Sequence, residues 1–239
     1  MSKTRVITLS ALFSAISIVL TRYFAIIVPL GGFPSLSIEL GGIPIVMGGI
    51  ILGPFAGGII GAISDLIGFL VNDRGGAYHF GFTLNAILTG AIPGILFMIF
   101  KKYHASERFF KIINYVLVSL LVVLGNIYIF TVQSDVILAK NRWIACGALI
   151  IVYIALMLII TFVSKNKTQK SSITFNQVIL AVMLVEVFVY ILLTPIWIYG
   201  LFGIPSTISI ASRVFRAVFM IPIKSVIIYY ALVSLKSLR

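Results

Sequence analysis

Apolar runs, several of them long enough to cross a bilayer, occupy nearly all of this sequence and leave little choice of fold. About 20 consecutive apolar residues cross roughly 30 Å of hydrocarbon as a helix. Backbone amides in lipid must be satisfied within the segment, so such runs are helical. A membrane β-barrel would alternate polar and apolar residues in short segments, and this chain shows no such alternation. Of its 239 residues 61% are hydrophobic and 10% charged, whereas a soluble domain carries about 25% charged residues. The expected fold is an all-α integral membrane protein, a single transmembrane domain over residues 1–239.

The runs divide into eight segments. Helix one is expected over Thr4–Val28 and ends at Pro29, the start of a Pro-Leu-Gly-Gly-Phe-Pro loop. Shorter apolar stretches follow over Leu40–Leu52 and Phe55–Val71, separated by Gly53-Pro54, then a polar loop at Asn72–Gly81. Further helices are expected over Phe82–Phe100, Ile112–Phe130, Trp143–Val163, Gln177–Ile198 and Ile208–Leu235, with basic loops at Lys101–Lys111 and Lys165–Asn176. Met1–Arg5 followed by an apolar run has the outline of a signal peptide. The run is too long and lacks a small-residue cleavage site, so it is expected to be the first span.

Charge sets the orientation. With Lys3 and Arg5 inside, the cytoplasmic loops hold Lys101, Lys102, Arg108, Lys111, Lys165, Lys167 and Lys170, and the tail holds Lys236 and Arg239. The outer loops hold Arg74, Lys140 and Arg142, offset by Glu39, Asp73 and Asp135. The positive-inside rule is then met with both termini cytoplasmic. The net charge of +12 is therefore a property of loops at the membrane surface, and no basic groove with interleaved aromatics points to nucleic acid.

Six charged residues remain inside apolar runs: Arg22, Asp65, Glu186, Arg213, Arg216 and Lys224. Charge at membrane depth is costly and marks function or pairing. Arg22, Arg213, Arg216 and Asp65 converge on the outer half, where a positive cavity would attract a carboxylate. The arginines could instead snorkel to headgroups, Asp65 could pair with one of them, and Glu186 could pair with Lys224. Aromatics at the same level, among them Tyr78, His79, Phe82 and Trp197, suit either an interfacial belt or stacking on a flat ligand.

Small residues form a second pattern. Gly49, Gly53, Gly57 and Gly61 recur every fourth residue, which favours close internal helix packing. Ala11 and Ala15 on helix one could dock another membrane subunit. The lone Cys146 has no disulfide partner in the chain and reads as packing. No catalytic motif, nucleotide loop or metal-ligand spacing is present. Neither an enzyme nor a cofactor is expected, and energy for transport would come from a partner or an ion gradient.

The stretches Gly41-Gly42-Ile43-Pro44-Ile45, Gly53-Pro54-Phe55-Ala56-Gly57-Gly58 and Gly61-Ala62-Ile63-Ser64-Asp65-Leu66-Ile67-Gly68 resemble the substrate-binding S components of energy-coupling factor (ECF) vitamin transporters. Gly76-Ala77-Tyr78-His79-Phe80-Gly81-Phe82-Thr83-Leu84, followed by Leu88-Thr89-Gly90, resembles the folate subfamily, with His79-Phe80 where Phe-Pro is usual. Arg216, Ile221-Pro222-Ile223-Lys224 and Arg22 before an aromatic also fit, although Lys224 stands near a position that usually carries Glu or Gln. The resemblance covers about 1–102 and 177–239. It implies a six-helix S-component-like bundle, to which residues 103–176 would add an inserted two-helix hairpin, giving eight transmembrane segments.

The resemblance also implies a function and partners. Such a protein captures folate outside a bacterial plasma membrane and associates with a transmembrane coupling subunit and two ABC ATPases, by a helix-one motif matched by Ala11 and Ala15. Carboxylate partners would be Arg22, Arg213 and Arg216, and aromatic contacts Tyr78, Phe82 and Trp197. His79 and Thr83 lie with Tyr78 and Phe82 in the Gly76–Leu84 stretch; separately, the depth and position of Asp65 suggest that it could read the amino-amide edge of a pterin. Alternatives are an S component for another carboxylated vitamin such as pantothenate, a self-sufficient secondary transporter, or an intramembrane enzyme or scaffold. The absence of a detectable inverted repeat weighs against the secondary transporter.

Overall fold

A computed structural model describes residues 2–30, 33–73, 77–103, 106–131, 142–165 and 173–237. Arg74, His104, Asp135, Lys140, Lys167, Lys170 and Arg239 of the expected loops and tail lie outside the described residues. Helix α1 (Lys3–Arg22) begins at Ser2, whose hydroxyl caps the backbone N–H of Arg5. It stops short of the expected Val28. The chain instead forms an antiparallel hairpin, β1 (Ile26–Leu30) and β2 (Phe33–Ile38), with Ile26 opposite Ile38 and Leu30 opposite Phe33. Pro29, Leu30, Phe33 and Pro34 of the expected loop thus lie in strands, and Gly31 and Gly32 lie outside the described residues. Apolarity alone does not separate strand from helix, and the β-branched run Ile26-Ile27-Val28 favours the strand. The pairing becomes irregular between Val28 and Leu30, around Pro29, which has no N–H to give.

Helices α2 (Gly42–Leu52) and α3 (Pro54–Val71) meet at Gly53, whose φ of 96° suits glycine, with Pro54 opening α3. Helix α4 (Phe80–Tyr103) follows. Of the four-residue glycine repeat, Gly49, Gly57 and Gly61 are packing devices, as expected, whereas a Cβ on Gly53 would meet nothing within 4 Å. A Cβ on Gly57 would lie 2.6 Å from the Gly90 carbonyl oxygen, and one on Gly61 would strike the backbone of Ala86. The α3 and α4 backbones therefore touch along an antiparallel ridge, Gly57 beside Gly90 and Gly61 beside Ala86. Close approach of this kind maximises van der Waals contact where lipid removes the hydrophobic drive between helices.

Helices α5 (Glu107–Thr131) and α6 (Arg142–Lys165) pack on each other, with a Ser119–Tyr153 hydroxyl bond of 3.0 Å. Cys146 is buried on α6. The next apolar run, expected as one regular helix, is α7 (Phe175–Val185), a π-helical segment (Glu186–Leu193) and α8 (Thr194–Phe202), ending at Gly203 in the left-handed region. Helix α9 (Ser206–Ser237) closes the chain.

Six helical stretches are long and apolar enough to cross a membrane among the described residues: Lys3–Arg22, Pro54–Val71, Phe80–Tyr103, Glu107–Ile127, Phe175–Phe202 and Ser212–Leu235. The shorter apolar helices Gly42–Leu52 and Leu149–Val163 fall on the other two expected segments. The all-α reading holds for every one of these, and the hairpin is the exception to it. The chain divides into two compact units, residues 1–104 with 181–206, and residues 105–180 with 207–239.

Candidate functional site

In the first unit, the glycine ridge leads directly to a cluster of polar side chains. One more helical turn along α3 from Gly61 is Asp65, and nearly one turn back along α4 from Ala86 is Thr83. The Thr83 hydroxyl donates to Asp65 Oδ2 at 2.7 Å. The Tyr78 hydroxyl lies 2.9 Å from Thr83 Oγ1. Because the Thr83 proton is engaged by the carboxylate, Tyr78 is the donor in that pair.

Asp65 Oδ1 pairs with Arg22 Nη2 at 3.5 Å. The same guanidinium donates to the backbone oxygens of Asn72 (3.1 Å) and Asp65 (3.3 Å). Its Nε is buried without a hydrogen-bond partner among the described residues. Arg22 can lie this close to α3 because Gly68 has no side chain: a Cβ there would be 2.8 Å from Nε. The Arg22 side chain is only 10% exposed, so it is packed within the protein rather than snorkelling outward. Of the alternatives for Asp65, pairing with an arginine is present.

This pair is testable by itself. Asp65→Ala and Arg22→Met each leave one partly buried charge without its partner, at about 1–3 kcal/mol. Each is expected to lower the apparent unfolding temperature in detergent, and the double variant to recover part of the loss. Strict additivity would show that the pair contributes no coupling.

The aromatic residues form a second group beside it. The His79 ring lies 5.7 Å from Trp197 and 5.9 Å from Phe82, and Tyr78 meets Phe69 edge-on at 5.3 Å. His79 Nδ1 accepts from the Gly81 backbone N–H at 3.0 Å. The Trp197 indole lies against Gly81, where a Cβ would run into the ring. Trp197 Nε1 donates to Asn85 Oδ1 at 3.2 Å, and Asn85 Nδ2 donates to Thr194 Oγ1 at 3.0 Å. Sequence reasoning missed Asn85, Thr194, Gly68 and Gly81 as supports. The glycines stood in the matching stretches, whereas the Asn85 pairings link α4 to a helix more than a hundred residues away.

In the second unit, Arg213, Arg216 and Lys224 are each 4% exposed on α9. At about 100° per residue they fall within roughly 80° of one another on the helix. Arg213 Nε donates to Ser209 Oγ, one turn earlier, at 3.2 Å. Glu186, at the start of the π-helical segment, is fully buried. Ala11 and Ala15 are exposed on α1, on a helix whose apolar window is only 17% buried. Among the described residues no group of His, Cys, Asp and Glu is placed to hold a metal ion.

Apolar helices of membrane-spanning length, with charged side chains buried among them, define a multi-pass membrane protein. Residues 1–164 match the family model described as "ECF-type riboflavin transporter, S component". The folate transporter FolT of Clostridium novyi (strain NT) is 31% identical over 140 residues, 59% of this chain and 74% of that relative. A solved structure described as FolT bound with folic acid has a TM-score of 0.56 and 25% identity, covering 95% of this chain and 93% of that one. The chain belongs to the S components of ECF-type transporters. It is a transporter component and not an enzyme, and its similarity to FolT in sequence and structure sets it with the folate-type members.

Proposed function

We propose that this protein is the folate-capturing S component of an ECF-type ABC importer, multi-pass in a bacterial plasma membrane with both termini cytoplasmic. The observation that carries the reading is the joint similarity to FolT: 31% identity to the transporter and a TM-score of 0.56 to a FolT structure with folic acid. The chemistry of the side chains supports it. Asp65, Thr83 and Tyr78 offer a hydrogen-bonding edge for the amino-amide side of a pterin, and Arg22 holds Asp65 in place. His79, Phe82 and Trp197 offer aromatic surface for its flat ring. In the second unit, the buried guanidinium groups of Arg213 and Arg216 suit an anion such as a carboxylate.

Riboflavin is the second reading, because the matching family model carries that description. It too is flat and heteroaromatic, but it has no carboxylate. The buried arginines of α9 favour folate.

Uptake is attributed to partners: a transmembrane coupling subunit and two ABC ATPases, docked at Ala11 and Ala15. The exposed side chains of Ile7, Leu12, Ile16 and Val19 on α1 make a largely apolar surface with those alanines, suited to lipid or to another subunit. Residues 103–176 are read as an inserted helical hairpin. The matched residues are 59% of this chain but 74% of the relative from C. novyi, so that relative is the shorter chain.

The test is uptake of labelled folate by membrane vesicles carrying this chain with and without a coupling module. Uptake is expected only with the module and ATP. An Ala11→Val, Ala15→Val double variant is expected to keep folate binding and lose at least nine-tenths of uptake. ATP-independent uptake by the chain alone, abolished by an ionophore, would instead identify a secondary transporter.

A further inference from the structure

Asn85 is 6% exposed and sits between two partners on one helix face. Thr194 and Trp197 are three residues apart on α8, so both face the same way. An indole N–H can only donate, so the oxygen of the Asn85 amide must face Trp197 and its nitrogen must face Thr194. The Thr194 hydroxyl in turn donates to the Val189 carbonyl at 2.8 Å. The backbone N–H of Thr194 bonds the same carbonyl, closing the π-helical segment. An irregular turn of this kind resets the direction of every side chain that follows it, and here those are the two that meet Asn85. The chain of bonds thus runs from the π-helical segment through Thr194 and Asn85 to the edge of an indole. That indole's face lies on Gly81 and near His79.

We propose that Asn85 is a positioning residue for the ligand. It locks the Trp197 indole in one orientation as a preformed wall for a flat heteroaromatic ring, acting through Trp197 without touching the ligand. The role rests on the reading of this protein as a receptor for a folate-like vitamin. A wall fixed in advance saves the ordering of a large side chain at the moment of binding. Loss of the lock should weaken binding roughly tenfold while leaving Trp197 itself present.

The protein has two tryptophans, and Trp143 is 80% exposed, so a Trp143→Phe background reports on Trp197 alone. In that background we expect Asn85→Leu to add a fast component to the fluorescence anisotropy decay of ligand-free protein. The same variant should raise the Kd for folate and for pteroate, which shares the pterin ring, by similar factors of roughly ten. Thr194→Val should do the same more weakly, and Thr194→Ser, which keeps the hydroxyl, should behave as the parent. If Asn85→Leu does not fold, the Thr194 pair decides. Variants that bind as tightly as the background protein with an unchanged anisotropy decay would overturn the role of Asn85 and leave the folate reading standing. A folded background protein that binds no flat-ring vitamin would overturn the folate reading and this role with it.

Discussion

Replacing Gly90 with valine is expected to leave little folded protein. A Cβ at Gly90 would strike the carbonyl of Gly57, a backbone group that cannot swing aside. The two helices would have to separate, and with them the ridge that brings Asp65 to Thr83. Overpacking of a tight site costs about 1–3 kcal/mol and sometimes more. Here the penalty falls on the α3–α4 backbones rather than on flexible side chains, so the upper end applies. The measurement is the yield of monodisperse protein in detergent and its apparent unfolding temperature. Gly200→Ala is the control. Nothing lies within 4 Å of a Cβ at Gly200, and alanine in a helix gains about 0.5–1 kcal/mol over glycine. Gly200→Ala should match or exceed the parent, whereas equal tolerance at Gly90 would show that the helices can part freely.

The second large effect is expected at Arg213. Arg213→Met should weaken folate binding roughly 10- to 100-fold, because a charge-assisted hydrogen bond contributes about 1.5–3 kcal/mol. Arg213→Lys should restore only part of it, since a lysine cannot form two parallel bonds to one carboxylate. Calorimetric titration with folate and with pteroate, which lacks the glutamate, separates ligand contact from general damage. Contact with the glutamate predicts that the folate-to-pteroate affinity ratio collapses in Arg213→Met. A parallel fall for both ligands would place Arg213 away from the glutamate of folate.

Much of this was legible in the sequence because bilayer physics is severe. Apolar length fixed the helical segments, and charge bias gave an orientation to propose. Ala11, Ala15 and the charged residues at membrane depth stood out against a lipid-like background. The Gly49–Gly61 repeat already pointed at close packing, and Asp65 simply continues its four-residue spacing. What escaped was whatever apolarity does not encode. Ile26-Ile27-Val28 reads as the end of a helix or as a strand by composition alone, and its partner strand is what decides. The π-helical segment over Glu186–Leu193 has no residue signature of its own. Asn85 is an ordinary polar residue until Trp197 and Thr194 fold against it.

The choice between folate and its rivals comes down to one titration. Purified protein in detergent, titrated by calorimetry with folate, riboflavin and pantothenate, is predicted to bind folate saturably at one site and far more tightly than the other two. Tight binding of riboflavin with folate inert, or no binding of any by a folded protein, would contradict the account.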